Sequence, residues 1–110
     1  MLRYILLIFT FSFVLNATDF KALLFNGNCT TCHFINKAVS APSMKEVQKV
    51  YKNAFPNKSD FISYMANWVK EPNKKGSLMH NAIDKYELMP EMVFDQETLY
   101  DIAEYIYDMR

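Results

Sequence analysis

The chain has 110 residues, 51% of which are hydrophobic, and its 12 basic side chains balance its 12 acidic ones. This length has room for one domain. Because the chain lacks the excess of basic residues that a nucleic-acid-binding surface requires, neither DNA nor RNA is an expected partner.

The amino-terminal segment 1–17 has the order of features that is typical of a secretory signal. One positive charge in residues 1–3 precedes the apolar run 5–15, which is shorter than the roughly 20 residues of a membrane-spanning helix. We predict cleavage after the small residue Ala17 and export of the domain, residues 18–110, to the periplasm. An uncleaved membrane anchor is the alternative, because Leu15 is bulky for the third position before the cut.

The exported part is predicted to be all-α. Thr18 or Asp19 caps a first helix, and the sequence Asn26-Gly27-Asn28 ends it. The apolar residues of this helix recur at positions i, i+3 and i+4, and they are Phe20, Leu23 and Leu24.

A second helix is expected to begin at Ser43, because Glu46 three residues later matches a capping box. Its apolar face consists of Val47, Val50 and Tyr51. After a break at 56–59, either Ser59 or Asp60 caps a third helix. The apolar residues of the third helix recur at helical spacing at Phe61, Tyr64, Met65, Trp68 and Val69.

The last quarter of the chain predicts two more helices around a loop. Residues 77–86 form the shorter one, and Met89-Pro90 lies in the loop because proline disfavours helix at the residue before it. Asp95 caps the final helix, and Glu97 favours its positive amino end. The stripe on this helix consists of Leu99, Ile102, Ala103, Ile106 and Met109. No segment alternates with period two, so we predict no strand.

The pentapeptide Cys29-Thr30-Thr31-Cys32-His33 is the most specific pattern in the chain. Two cysteines separated by two residues can form thioethers with the two vinyl groups of one porphyrin. The adjacent histidine then lies next to the iron as its proximal ligand. The pattern therefore predicts one covalent haem c, attached to Cys29 and Cys32 with His33 bound to the iron.

Three other interpretations of the cysteine pair remain open. A thioredoxin-like redox pair follows a buried strand, and no strand is predicted before Cys29. A structural zinc site needs four ligands, and His33 and His80 are the only further nitrogen donors of this kind. A stapling disulfide does not account for the adjacent histidine.

The order of these motifs resembles that of class I cytochromes c, the small soluble monohaem cytochromes of bacteria, over nearly all of residues 18–110. The family has a first helix with an aromatic residue, the CxxCH motif, a proline-bearing loop, a Met-Pro loop and a carboxy-terminal helix. The residues that match are Phe20, Cys29–His33, Pro42, Met89-Pro90 and the segment 99–109 with Tyr105. The resemblance implies a small cytochrome c fold with three to five helices around one haem.

The resemblance also implies two specific contacts. The first and last helices of the family cross, so Phe20 and Leu24 are expected to meet Ile102, Tyr105 and Ile106. The carbonyl of the loop proline, here Pro42, is expected to accept a hydrogen bond from His33, which would set the tautomer of the imidazole. Residues 70–86 do not align with the simpler members of the family, and their role stays open.

The second iron ligand is expected from the second half of the chain. Met89 matches the Met-Pro motif of the family, and Pro90 would stiffen its loop. Met92, in the same loop, and His80 are the alternatives. Methionines on the predicted helices are more often core residues than ligands, and these are Met44, Met65 and Met109. The aromatic residues that would wall the haem, or simply pack in the core, are Tyr51, Tyr64, Trp68, Tyr86 and Phe94.

An iron with both axial positions filled has no open site for a substrate, which argues for electron transfer and against catalysis. We therefore predict a monomeric electron carrier that is not an enzyme and has no small-molecule substrate. The resemblance implies a quinol-oxidising complex and a terminal oxidase or reductase as its redox partners. The alternative is a haem-bearing subunit held permanently on a membrane-anchored or periplasmic redox enzyme.

Overall fold

The computed structural model describes residues 17–110, and the predicted signal segment, apart from Ala17, lies outside them. All regular structure in the described part is helical, as predicted, and no strand occurs there. The five helices are α1 (Ala17–Asn28), α2 (Met44–Ala54), α3 (Lys58–Lys70), α4 (His80–Tyr86) and α5 (Gln96–Asp108). None of them is both long enough and apolar enough to cross a membrane.

Side-chain caps begin three of these helices. The predicted caps of α2 and α5 are confirmed, because Ser43 Oγ accepts the Glu46 N–H at 3.2 Å and Asp95 Oδ1 accepts the Thr98 N–H at 2.8 Å. The predicted cap of α3 is wrong. Asn57, rather than Ser59 or Asp60, caps this helix, and its Oδ1 accepts the Asp60 N–H at 3.3 Å. Asparagine is as good a cap as serine or aspartate, so the helix begins at the earliest residue that satisfies its free N–H groups.

Helix α5 lies at the centre of the packing, in contact with α1, α2 and α3. The predicted stripe on α5 is buried at Leu99, Ile102, Ala103 and Ile106, and Met109 packs at its edge just beyond the helix. The predicted face of α3 is confirmed by Phe61 and Met65, which are 0% and 4% exposed. The core formed by these helices contains Phe25, Met44, Tyr51, Phe61, Met65, Ile102, Ala103 and Ile106.

The aromatic residue by which α1 packs on α5 is Phe25, and the prediction of Phe20 is wrong. Phe25 is 1% exposed and its ring centroid lies 5.0 Å from that of Tyr105, whereas Phe20 is 55% exposed and Leu23 is 71% exposed. Leu24 packs against the core as expected. The buried face of α1 is therefore rotated from the predicted one. The buried face passes through Phe25 and, four residues earlier, Lys21, which bonds Glu104 of α5.

The carboxyl end of α5 is closed by a side chain from α2. Gln48 Nε2 donates to the carbonyl oxygens of Ile106 at 2.8 Å and Met109 at 2.6 Å. The last carbonyls of a helix have no partner within the helix, so an amide donor from a neighbouring helix satisfies them. This contact joins α2 to α5 across 58 or more residues of chain, and no local pattern predicts it.

Glu104 connects three helices by ion pairs. Its carboxylate accepts hydrogen bonds from Lys21 of α1 and from Lys58 of α3, the latter at 3.1 Å. These two bonds hold the pKa of Glu104 below its usual value of 4.5. The pairs are only partly shielded from solvent, so they orient the helices more than they stabilise the fold.

Replacing Phe25 with alanine is expected to destabilise the protein by about 3–5 kcal/mol, because the cavity left between α1 and α5 cannot be refilled. Urea unfolding followed by circular dichroism measures the change. Phe20→Ala is the matched control and should cost less than about 0.5 kcal/mol, because its side chain is largely in solvent. A larger cost for Phe20→Ala than for Phe25→Ala would contradict the packing described above.

Glu104→Gln is expected to lower the free energy of unfolding at pH 7 by less than about 1 kcal/mol. A carboxylate with a lowered folded-state pKa stabilises the protein above the unfolded-state value, here 4.5, and this contribution disappears as the pH falls through the lowered pKa. The variant and wild type should therefore converge at acid pH in urea unfolding measured at a series of pH values. The control Glu91→Gln, which removes an exposed acid in no ion pair of the described part, should leave the free energy of unfolding at pH 7 unchanged.

Candidate functional site

The pentapeptide Cys29–His33 forms one more turn at the end of α1. The Cys29 N–H donates to the Phe25 carbonyl at 2.9 Å, and the His33 N–H donates to the Cys29 carbonyl at 2.9 Å. Each of these bonds spans four residues, as in an α-helix. Because Phe25 is anchored in the core, the packing of α1 on α5 sets the position of both cysteines and the histidine.

The imidazole of His33 is held by the backbone of the following loop. Its Nδ1 lies 2.8 Å from the carbonyl oxygen of Pro42, the contact that the resemblance implies. A carbonyl can only accept, so Nδ1 carries a proton, and in the neutral imidazole Nε2 then has the lone pair that can bind a metal. The loop itself is closed at its base, since Met44 N–H donates to the Phe34 carbonyl at 2.8 Å and Lys45 N–H donates to the Ile35 carbonyl at 3.1 Å.

A cavity of about 280 Å³ brings the predicted site residues together. The motif side of its lining contains Cys29, Cys32, His33 and Pro42, and the loop before α5 contributes Met89 and Met92. The rest of the lining is mainly apolar and comes from α2 to α5 and the turn before α4, whereas α1 contributes only its last residue, Asn28. Its apolar members include Met65, Leu78, Met79, Ile83, Leu99 and Ile102. The residue types that hold haem therefore face one apolar space.

The three candidates for the second iron ligand are not equivalent in the structure. Met89 and Met92 both line the cavity with His33. His80 does not line it, and its exposed side chain borders an adjoining surface groove with Glu46 and Lys85, on the other side of Leu78, Met79 and Tyr86. The position of His80 therefore favours a methionine over a second histidine.

The two cysteines are free thiols in different surroundings. Cys29 is partly buried and Cys32 is exposed. Burial raises the pKa of the Cys29 thiol to about 11, so this thiol is protonated at neutral pH. A thiol–disulfide oxidoreductase needs a cysteine whose pKa is lowered instead. Within residues 17–110, no three His, Cys, Asp or Glu side chains converge as a metal-binding group.

Four of the five aromatic residues considered for the wall of the site line the cavity, namely Tyr51, Trp68, Tyr86 and Phe94. Tyr64 does not. Its hydroxyl donates to the Gly76 carbonyl at 2.6 Å and its ring stacks on Phe55, so it braces the turn after α3. Tyr51 is the most deeply placed of the four, 5% exposed, with its ring edge-on to Phe61.

Residues 70–86, which match no part of the resemblance, close one side of the cavity. The turn after α3 is held by Asn73, whose Oδ1 accepts the Gly76 N–H at 2.7 Å and whose carbonyl accepts the Trp68 Nε1–H at 3.0 Å. The chain then enters α4, whose apolar residues face the cavity. Helical spacing indicated this short helix, but its role as a cavity wall depends on the turn that folds it back.

Glu87 lies where α4 ends and the loop that carries Met89 begins. Its φ of 72° lies in a left-handed region where a side chain costs roughly 1–3 kcal/mol. The chain turns sharply there, and the next residues, Leu88 and Met89, reach the cavity. The sequence contains no glycine at this turn to indicate it.

No family model, no curated protein and no solved structure matches this chain. The geometry of the site is thus the basis for a functional assignment.

Tyr51→Phe is expected to leave the alkaline titration of the tyrosines unchanged up to roughly pH 11. Burial raises the pKa of Tyr51 far above its usual value of 10, so its phenol contributes no phenolate in this range. Ultraviolet phenolate absorbance measures the titration. A smaller change of phenolate absorbance in Tyr51→Phe than in wild type would show that Tyr51 ionises in this range and would contradict its burial.

Proposed function

We propose that the protein is an exported monohaem c-type cytochrome that carries single electrons between redox proteins. The observation that supports this function best is the apolar cavity shared by Cys29, Cys32, His33 and Met89. Each of these residues taken alone has an ordinary structural explanation. Their position around one apolar cavity is what supports the proposal.

The donor set of the cavity fits haem c. Two thiols lie within one turn of chain, as attachment to one porphyrin requires. The imidazole of His33 presents Nε2 with its lone pair, because Nδ1 is bonded to Pro42. Met89 adds a thioether, a ligand that haem iron accepts on its second side.

Each residue of the site has a distinct role in this proposal. Cys29 and Cys32 would attach the haem by thioether bonds, and His33 and Met89 would bind its iron. The haem, when bound, supplies a one-electron couple between ferric and ferrous iron. The Pro42 carbonyl holds the orientation of the His33 ring and increases the donor strength of Nε2.

The apolar lining would tune this couple. A low-dielectric surrounding disfavours the more highly charged state of a buried group, and a thioether ligand also favours ferrous iron. Both effects raise the reduction potential. Two filled axial positions leave no place for a substrate, so the proposed protein is a carrier without a catalytic site.

The proposed location is the periplasm, after removal of residues 1–17, and the proposed partners are a quinol-oxidising complex and a terminal oxidase or reductase. Electron-transfer encounters of this kind use small interfaces that separate quickly. Size-exclusion chromatography of a native extract distinguishes this carrier from the alternative, a subunit bound permanently to a larger redox enzyme. A carrier migrates as a free monomer, whereas the subunit migrates with its enzyme.

The pyridine haemochrome spectrum of protein matured with a cytochrome c assembly system tests the proposal. We expect one covalent haem per chain in wild type. Cys29→Ser with Cys32→Ser should carry no covalent haem, because both thioether positions are lost. The control Cys29→Ala alone should retain a single thioether and a shifted haemochrome band. Wild-type protein without covalent haem would refute the proposed function.

Met89→Ala is expected to abolish the long-wavelength band that marks methionine–iron ligation in the oxidised protein. Met92→Ala and His80→Ala are the controls and should retain this band, since Met92 is the second choice in the loop and His80 borders a different groove. Visible absorption of the three oxidised variants measures the outcome. Loss of the band in Met92→Ala alone would assign the ligand to Met92.

A further inference from the structure

We propose that the two loops beside the cavity form a docking surface for a partner protein with an apolar contact spot surrounded by basic residues. The loops are 34–43, which follows the cysteine motif, and 87–95, which carries Met89 and which we name the acidic loop. This inference rests on the proposed function, because it identifies the kind of redox partner that would reach the haem.

Exposed apolar side chains concentrate on these loops. Of the seven large hydrophobic residues that are exposed in the described part of the chain, Phe34, Val39, Leu88 and Val93 lie on one loop or the other. Single exposed apolar residues are ordinary, but several together around one cavity mark an interaction surface. Both loops also contribute residues to the cavity lining, Ala41 from one and Met89 from the other.

Val93 is the clearest case, because its side chain is 98% exposed. Its neighbours Met92 and Phe94 both line the cavity. The Phe94 N–H donates to the Met92 carbonyl at 3.1 Å, so the chain makes a tight three-residue turn at Val93 and leaves this side chain outside the cavity that its neighbours line. A polar residue is expected at a position that contacts only water. Valine instead places apolar surface next to the cavity.

The charge of the acidic loop determines the kind of partner. Glu87, Glu91 and Asp95 are exposed, and no lysine or arginine occurs between Lys85 and Arg110. These acids take part in none of the ion pairs found within residues 17–110. Further along α5, by contrast, Asp101, Glu104 and Asp108 pair with Lys21 or Lys58. The acidic loop therefore presents three carboxylates in no ion pair of the described part, with no basic residue among them, beside the cavity.

The other loop carries one positive charge, Lys37, whose Nζ lies 4.9 Å from the centre of the Phe34 ring. The docking surface thus has a negative side along 87–95 and a weakly positive side along 34–43. A partner with basic residues placed against the acidic loop is attracted over a distance of about 10 Å at 0.1 M salt and is oriented by the difference between the two sides. The apolar residues then supply the contact once the surfaces meet.

The test is a nuclear magnetic resonance titration of the ¹⁵N-labelled haem-loaded protein with two peptides. One is an all-lysine nonapeptide, and the other has phenylalanine in place of its central lysine. Amide shifts are expected in the acidic loop for both peptides, and in 34–43 for the phenylalanine peptide, which is expected to bind more tightly.

Two variants separate charge from apolar contact. Glu87→Gln with Glu91→Gln is expected to weaken binding of both peptides on the order of fivefold at 0.1 M salt, from removal of two charges near a polycation. Val93→Asn should weaken only the phenylalanine peptide. The matched controls are Asp19→Asn with Asp60→Asn, which removes two exposed acids elsewhere, and Leu23→Asn, which removes an exposed apolar residue from α1.

The docking surface is refuted if shifts concentrate outside 34–43 and 87–95, if no saturable shift occurs, or if the control variants weaken binding as much as the test variants. Shifts of these loops that depend on protein concentration without peptide would assign the surface to a second copy of the chain and overturn the basic partner. The pyridine haemochrome of the same sample keeps the two proposals apart. If the protein contains no covalent haem, the proposed function is refuted. If it contains haem but binds neither peptide, only the docking surface is refuted.

Discussion

The packing of α1 against α5 through Phe25 and Tyr105 is the constraint on which the rest of the molecule depends. The motif turn continues α1 by backbone hydrogen bonds that start at the Phe25 carbonyl, and Cys29 packs against the same core. The position of the end of α1 therefore sets the positions of Cys29 and His33. The same crossing brings Lys21 to Glu104, so a partly exposed ion pair fixes the angle at which the buried contact forms.

The cavity is built from parts that are distant in sequence and differ in secondary structure. One side is a short turn and a loop, tied together by the bond between His33 and the Pro42 carbonyl. The other side is the acidic loop, which carries Met89 and contains no regular structure between α4 and α5. Residues of helices α3 and α5 line the cavity between the two loops. A site with an imidazole on one side and a thioether on the other, across an apolar cavity, is suited to holding one large planar group in the proposed function.

Burial has opposite consequences for the two kinds of chemistry that a CxxCH motif invites. A redox-active dithiol requires a stabilised thiolate, and the partly buried Cys29 has the reverse, a raised pKa that keeps the thiol neutral. Covalent attachment of a porphyrin has no such requirement in the finished site, because the sulfur becomes an uncharged thioether. The apolar surroundings of Cys29 thus favour attachment over thiol exchange. The charged residues lie instead on the outer side of the loops, where the partner would approach.

The sequence by itself determined the all-helical fold, the caps at Ser43 and Asp95, and the stripe of α5, because these features depend on residues within one or two turns of each other. The sequence also indicated the cysteine motif, Cys29–His33, and the loop that carries Met89. Tertiary structure decided what periodicity leaves ambiguous: that α1 buries Phe25 and not Phe20, and that His80 lies outside the cavity that Met89 and Met92 share. A short helix with apolar residues on several sides has no preferred face until a partner helix covers one of them. That choice, and the distances across the cavity, are properties of long-range packing.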